Sequence, residues 1–192
     1  MRAVCIHDFG GPERLHPDNL PKPRPEAGEI LVRVVAAGVN AVDWKIREGF
    51  LREMIPHRFP LTLGWDVAGV VEAVGAGVTG VAVGDRVAAL TISGGYAEYI
   101  YLSQDDLIPV PDTLDPAEAV TLILNYIVAY QTLHRSAKVE ASDKVLIIGA
   151  GVAGFGLGWI LDAYALPVAH TAAATAGQAG AEPLSLINPT VW

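Results

Sequence analysis

Cysteine is nearly missing from this chain: Cys5 stands alone among 192 residues. No intramolecular disulfide can form, which fits a reducing compartment and predicts a cytoplasmic protein. Zinc sites built on two or more thiolates are excluded for the same reason. Cys5 lies in an apolar alternation, where a buried strand residue is expected rather than a reactive thiol. Basic residues are also scarce. Thirteen Lys and Arg stand against 21 Asp and Glu, a formal net charge of −8, and no Lys or Arg follows Lys144. A nucleic-acid partner is therefore not expected, since such surfaces carry a basic excess. No run of about 20 apolar residues escapes a glycine or a charge, so no membrane span is expected. The opening MRAVCIHDFG has no basic region leading into a long apolar stretch and does not read as a signal peptide.

What is present points to a packed core. Hydrophobic residues make up 52% of the chain and charged residues 18%, outside the composition of disordered chains. Residues 1 to about 110 read as β-rich. Apolar and polar residues alternate over Ile30–Val35, and Val67–Val74 is a valine-rich run. Pro21, Pro23 and Pro25 hold an extended connection, and glycines at 75, 77, 80 and 84 mark turns before Arg86–Leu90. Gly94-Gly95 leads into Tyr96–Leu102, whose aromatics suit a strand. Many short strands with frequent turns predict a small barrel or sandwich. One helix is expected within it, Ala41–Glu48, stopped by Gly49.

The pattern changes at Asp115-Pro116, a cap residue followed by proline in the first turn. Helical spacing then runs to about Lys138. Val145–Ile148 is a short continuous apolar strand of the kind found in buried parallel sheets. A helix over about Val152–Tyr164 and a second strand at Val168–Thr171 complete the pattern. Between strand and helix, Gly149, Gly151 and Gly154 stand at G-x-G-x-x-G spacing. There the first glycine allows the tight turn, the second lets backbone approach a pyrophosphate, and the third permits close helix–strand packing. Free N–H groups at the helix start, Val152 among them, would face the phosphates. A glycine-rich turn without a ligand is the alternative reading. No acidic or basic residue follows the second strand, where His170 and Thr171 stand, so no charge selects between NADH and NADPH.

Three segments carry a more specific pattern: AAGVNAVDWKIREG (36–49), PLTLGWDVAGVVEAVGAGVTGVAVGDRV (60–87) and GGYAEYIYLSQDDLIPVPDTLDPAEAV (94–120). With the glycine loop behind them, they resemble the medium-chain dehydrogenase/reductase superfamily over about residues 1–165. That resemblance implies a GroES-like, β-rich catalytic domain followed by a Rossmann cofactor domain, a mixed β and α/β fold. Zinc members carry a cysteine near the end of the first segment and Gly-His-Glu in the second. Here Val39-Asn40 and Gly64-Trp65-Asp66 stand instead, so no metal is expected. The histidines at 7, 16, 57, 134 and 170 form no close ligand pair in sequence and read as surface or packing residues. The chain thus resembles the zinc-free quinone oxidoreductase and enone reductase branch. This implies NADPH-dependent hydride transfer, with NADH as an alternative, to a quinone or an α,β-unsaturated carbonyl.

By motif position, Asn40 would contact nicotinamide or acceptor, its amide donating to an oxygen that gains charge. A helix-cap role before Ala41 competes with that assignment. Asp43 and Lys45 would lie near the cleft, although a plain solvent-exposed pair on the helix is the simpler expectation. Trp65 is packing, or a wall for a flat acceptor. Asn125 and Tyr130 divide between cofactor contact and simple packing, and Val128 stands where relatives often place a nicotinamide-facing threonine.

The expected organisation is a GroES-like domain over 1–114, a linking helix and Rossmann start over 115–168, and an Ala/Gly-rich tail over 169–192. Superfamily members are longer, and the tail composition reads as a truncated or frame-altered terminus. A non-catalytic GroES-like fragment is the alternative to an oxidoreductase. Oligomeric state stays open.

Overall fold

A computed structural model of the chain describes residues 1–140, 142–148 and 168–171. The chain folds as two compact units, Met1–Leu124 and a second one beginning at Asn125.

In the first unit, nine residues of β3 (Glu29–Ala37) and nine of β5 (Asp66–Val74) pair antiparallel and form the middle of a five-stranded sheet. β7 (Tyr99–Ser103) adds on the far side of β3. β6 (Arg86–Leu90) and then β8 (Ile108–Pro109) add beyond β5. The valine-rich sequence decides this: β-branched side chains fit a pleated, half-buried surface. Ile30, Val32, Val67, Val71, Val87, Ala89, Ile100 and Leu102 meet in one buried cluster. Within β3, β6 and β7 these positions are two apart, so one pleat face is the core face. The strand expected over Tyr96–Leu102 begins at Tyr99. Its first residues are drawn off to a different partner: Tyr96 O accepts from Val4 N–H, and Glu98 N–H donates to Arg2 O.

That partner is β1 (Arg2–Ile6), the centre of a three-stranded sheet with β2 (His16–Asn19) and β4 (Leu61–Thr62). Cys5 is fully buried within β1, as its alternation requires. Ile6, also fully buried, packs with Ile46 and Leu63; burying such a side chain stabilises by roughly 1.5–3 kcal/mol. The pairing of β1 and β2 sets Cys5 opposite His16 and brings the His7 and His16 rings to 5.8 Å between centroids. A pair invisible in sequence thus arises from register.

β3 does not run straight to its end. Val34 pairs with Gly69 and Ala36 with Ala68, leaving Val35 unmatched in a register shift, half exposed. Such bulges bend a strand and re-aim the residues beyond them. In this chain those residues are Gly38, Val39 and Asn40, which lead into α1 (Ala41–Arg47). Gly49 ends this helical stretch at φ 82°, a left-handed conformation that costs glycine little.

α2 (Pro116–Tyr130) starts as its sequence dictates: Asp115 Oδ1 accepts from the Ala117 N–H at 2.8 Å. Ala119, Val120 and Ile123 form its buried stripe. The expected continuation to Lys138 takes a different form, because Gln131–Ser136 is π-helical. Thr132 Oγ1 donates to the Val128 carbonyl, and the Ala137 N–H reaches back five residues to Thr132 O. Hydroxyl insertion of this kind loosens the ordinary ladder.

In the second unit, β9 (Val145–Ile148) and β10 (Val168–Thr171) pair in parallel, Val145 opposite Val168. These are the two strands expected of a Rossmann start. The glycine loop and its helix lie outside the described residues, as does the tail beyond Thr171. No helix among the described residues is long and apolar enough to cross a membrane.

Candidate functional site

Four polar or charged residues of the described chain are buried: Asn40, Asp43, Asp66 and Thr91. All four belong to one hydrogen-bonded constellation in the first unit. Bare charges are expensive to bury, so their convergence at the bent end of β3 singles out this place.

Asn40 is its centre and is 7% exposed. It is the N-cap of α1, with extended backbone at φ −117°, ψ 160°. Its main-chain N–H donates to Asp43 Oδ2 at 2.7 Å, the return half of a capping box. Its side-chain Nδ2 donates to Asp66 Oδ1 at 2.9 Å. Asp66 opens β5, so the amide ties the helix start to the sheet. The other Asp43 oxygen, Oδ1, accepts from the Gly64 N–H at 3.2 Å. Gly64 in turn has its carbonyl bonded by Thr91 Oγ1 at 2.8 Å, and the Thr91 N–H donates to the Trp65 carbonyl.

Two glycines make this packing possible. Gly64 has φ 102°, and a Cβ there would stand 2.7 Å from Tyr96 N. A Cβ on Gly38 would stand 2.1 Å from Asp66 Oδ1. Gly38 is required by close approach, Gly64 by close approach and by its positive φ.

The electrostatics follow from burial among neutral donors. Burial raises the Asp43 carboxyl above its ordinary value, opposed by the N–H groups of Asn40 and Gly64. Burial likewise raises Asp66, against the pull of the Asn40 amide and the Leu124 and Gly38 N–H groups, with the charge of Asp43 pushing further upward. The Tyr96 phenol beside them is driven far above its ordinary 10 by burial and by the Asp43 and Asp66 charges. Its Oη, like Trp65 Nε1, is buried without a hydrogen bond of good geometry among the described residues.

Asn40 takes the competing role of helix cap, and its amide is held at the centre of a buried polar cluster. Asp43 is not half of a solvent-exposed pair. It is 4% exposed, because the bulge and the capping turn swing it inward, and both its oxygens are occupied by backbone donors. Lys45 alone remains exposed, with Nζ 5.9 Å from the Trp44 ring centroid. Trp65 packs against the Ile6, Ile46 and Leu63 cluster. Asn125 and Tyr130 belong to the second unit. Tyr130 stacks on Tyr126 at 6.4 Å and meets His134 at 4.6 Å, while Asn125 Oδ1 is buried with no hydrogen-bond partner among the described residues. Gly149, Gly151, Val152 and Gly154 lie outside the described residues.

Asp66, Tyr96 and Thr91 were not among the expected site residues. A signal for Asp66 existed: it is a charge at the head of a valine-rich strand. Tyr96 and Thr91 carry no such mark. Among the described residues no three His, Cys, Asp or Glu side chains group as a metal site. The indole at position 65 offers no ligand atom, so the constellation does not fit a catalytic zinc.

Comparison with known proteins agrees with this architecture. Residues 26–112 match the alcohol dehydrogenase GroES-like domain. A quinone oxidoreductase of Pongo abelii is 41% identical over 182 residues, spanning 93% of this chain and 54% of its own length. The solved structure of mycobacterial Rv1454c complexed with NADPH is similar at TM-score 0.79 and 34% identity, over 88% of this chain and 52% of that one. The CurK enoyl reductase structure is similar at TM-score 0.81 and 27% identity, over 87% and 52%. The chain spans about half the length of the curated relatives it matches.

Proposed function

Because residues 26–112 form an alcohol dehydrogenase GroES-like domain within a chain similar to quinone oxidoreductases, we propose that it is the catalytic part of a zinc-independent, NADPH-dependent oxidoreductase acting on a quinone or an α,β-unsaturated carbonyl. The observation that carries this reading is Asn40. Its amide has two N–H groups: one is committed to Asp66, and the other has no acceptor among the described residues.

A neutral donor of fixed direction suits an oxygen that gains negative charge as hydride arrives, because it stabilises that charge without titrating. NADPH supplies the hydride when bound; the chain's own task is to hold the reactants and exclude water. In this reading Asn40 contacts the nicotinamide or the acceptor, and Trp65 forms an apolar wall beside it. Asp43 acts indirectly, by fixing the Asn40 main chain. Asn125 and Tyr130 stand as cofactor contacts of the second unit, together with Gly149, Gly151, Val152 and Gly154 at the pyrophosphate. The acceptor is a small molecule of carbonyl or quinone type. NADPH is favoured by the NADPH-bound relative, with NADH as the competing donor. A cytoplasmic setting is consistent with the single cysteine.

The test is a titration of the purified chain with NADPH, followed by nicotinamide fluorescence. Saturable binding with enhanced emission is expected. Absence of saturation at millimolar cofactor would leave the second reading, a GroES-like fragment without catalysis.

A further inference from the structure

Asn40 is held by its main chain and by its amide, and the holds do different things. Asp43 fixes its main chain through the N–H at 2.7 Å. Asp66 touches the amide alone, at 2.9 Å from Nδ2. An ionised carboxylate only accepts hydrogen bonds, so it admits the nitrogen end of the amide and rejects the oxygen end. The capping box turns the amide oxygen toward the Asp43 main-chain N–H; without the carboxylate, that contact alone would set an amide whose two ends are nearly alike in shape.

We propose that Asp66 is the positioning residue of the site, turning the Asn40 amide so that its second N–H, and not its carbonyl, is presented to the bound oxygen. This rests on the reading of Asn40 as the ligand-contacting donor. The fold supports it at some cost. Asp66 is 2% exposed, has no cationic partner among the described residues, and occupies space that any side chain at position 38 would fill. Two further donors, the backbone N–H groups of Leu124 and Gly38, act on it from α2 and from the end of β3, and the Asp43 carboxylate is the charge beside it. These donors keep the carboxylate from being exchanged for an amide. In an Asp66→Asn variant, an oxygen turned to Asn40 would leave an NH₂ against those donors.

The test is a double-mutant cycle read by NADPH affinity. Asp66→Asn and Asn40→Ala should each weaken binding about tenfold, the loss of one charge-assisted contact or of the amide it orients. The double variant should be no weaker than Asn40→Ala alone. Wild-type affinity in Asp66→Asn, or losses that simply add, would overturn the proposal, since a merely structural Asp66 would act whether or not the amide is present. A second measurement needs neither variant nor cofactor: a through-hydrogen-bond coupling between Asn40 ¹⁵Nδ2 and Asp66 ¹³Cγ in the wild-type chain. Its presence supports the assigned orientation even if Asp66→Asn does not fold; its absence refutes it. If wild type does not bind NADPH but shows the coupling, the functional reading fails while the positioning stands.

Discussion

Removing the Asp43 carboxylate tests whether the buried constellation is as tightly coupled as its geometry requires. Asp43 accepts from Asn40 N–H at 2.7 Å and from Gly64 N–H at 3.2 Å and is 4% exposed. Asp43→Ala deletes both acceptors and leaves two backbone donors in a nearly dry site. A buried donor stripped of its partner costs about 1–3 kcal/mol. Two of them, less the relief from no longer burying a charge, predict a loss of about 2–4 kcal/mol. Asp43→Asn keeps one acceptor oxygen but turns its NH₂ toward a donor, so a loss of about 1–2 kcal/mol is expected. Urea denaturation at neutral pH reads both as a lower midpoint at unchanged slope. The pH dependence has a definite sign. Burial raises the native Asp43 pKa above its ordinary 3.8, so the native state binds the proton more tightly than the unfolded one. The wild type therefore loses stability as pH rises from the unfolded pKa through the raised native one. Asp43→Asn lacks this slope, and its deficit relative to wild type should shrink over that window. Wild-type stability of Asp43→Ala at pH 7, or a deficit of Asp43→Asn that grows with pH, would refute the reasoning.

Other expectations can be checked with the same purified chain. Gly38→Ala places a methyl 2.1 Å from Asp66 Oδ1, and should lower stability by about 2 kcal/mol or more and weaken NADPH binding together; a melt and a fluorescence titration read the two. Ile6→Ala, in the fully buried centre of the second core cluster, should cost about 2–5 kcal/mol by urea midpoint. Asp115→Ala removes the cap bond to the Ala117 N–H and should cost about 1 kcal/mol, visible as a lower melting temperature. A wild-type-like result in any of these would count against the corresponding contact.

Much of the fold was legible because its signals are local. Val67–Val74 reads as a strand from β-branched content, Gly49 as a stop, and Asp115-Pro116 as a helix start, and each lies where its chemistry puts it. The strand Val145–Ile148 was plain from its short apolar run, and the fainter run Val168–Thr171 pairs with it in parallel. The π-helical turn after Tyr130 was not, since helical spacing does not distinguish a ladder that closes four residues back from one that closes five.

At the site the division is sharper. The sequence by itself showed that Trp65 and a single cysteine cannot supply the thiolate and histidine ligands of the zinc members, and it marked Asn40 as an amide at a helix start. Only the tertiary structure decided what that amide faces. Asp43 changed from a surface carboxylate to a buried clamp because a bulge at Val35 and a capping turn re-aim the chain after β3, a displacement without any periodic signature. Asp66 reached Asn40 across 26 positions of chain, through the antiparallel register of β3 and β5. Local patterns record the propensity of each segment; which side chains meet is set by register and close approach, and those exist only once the sheet has formed.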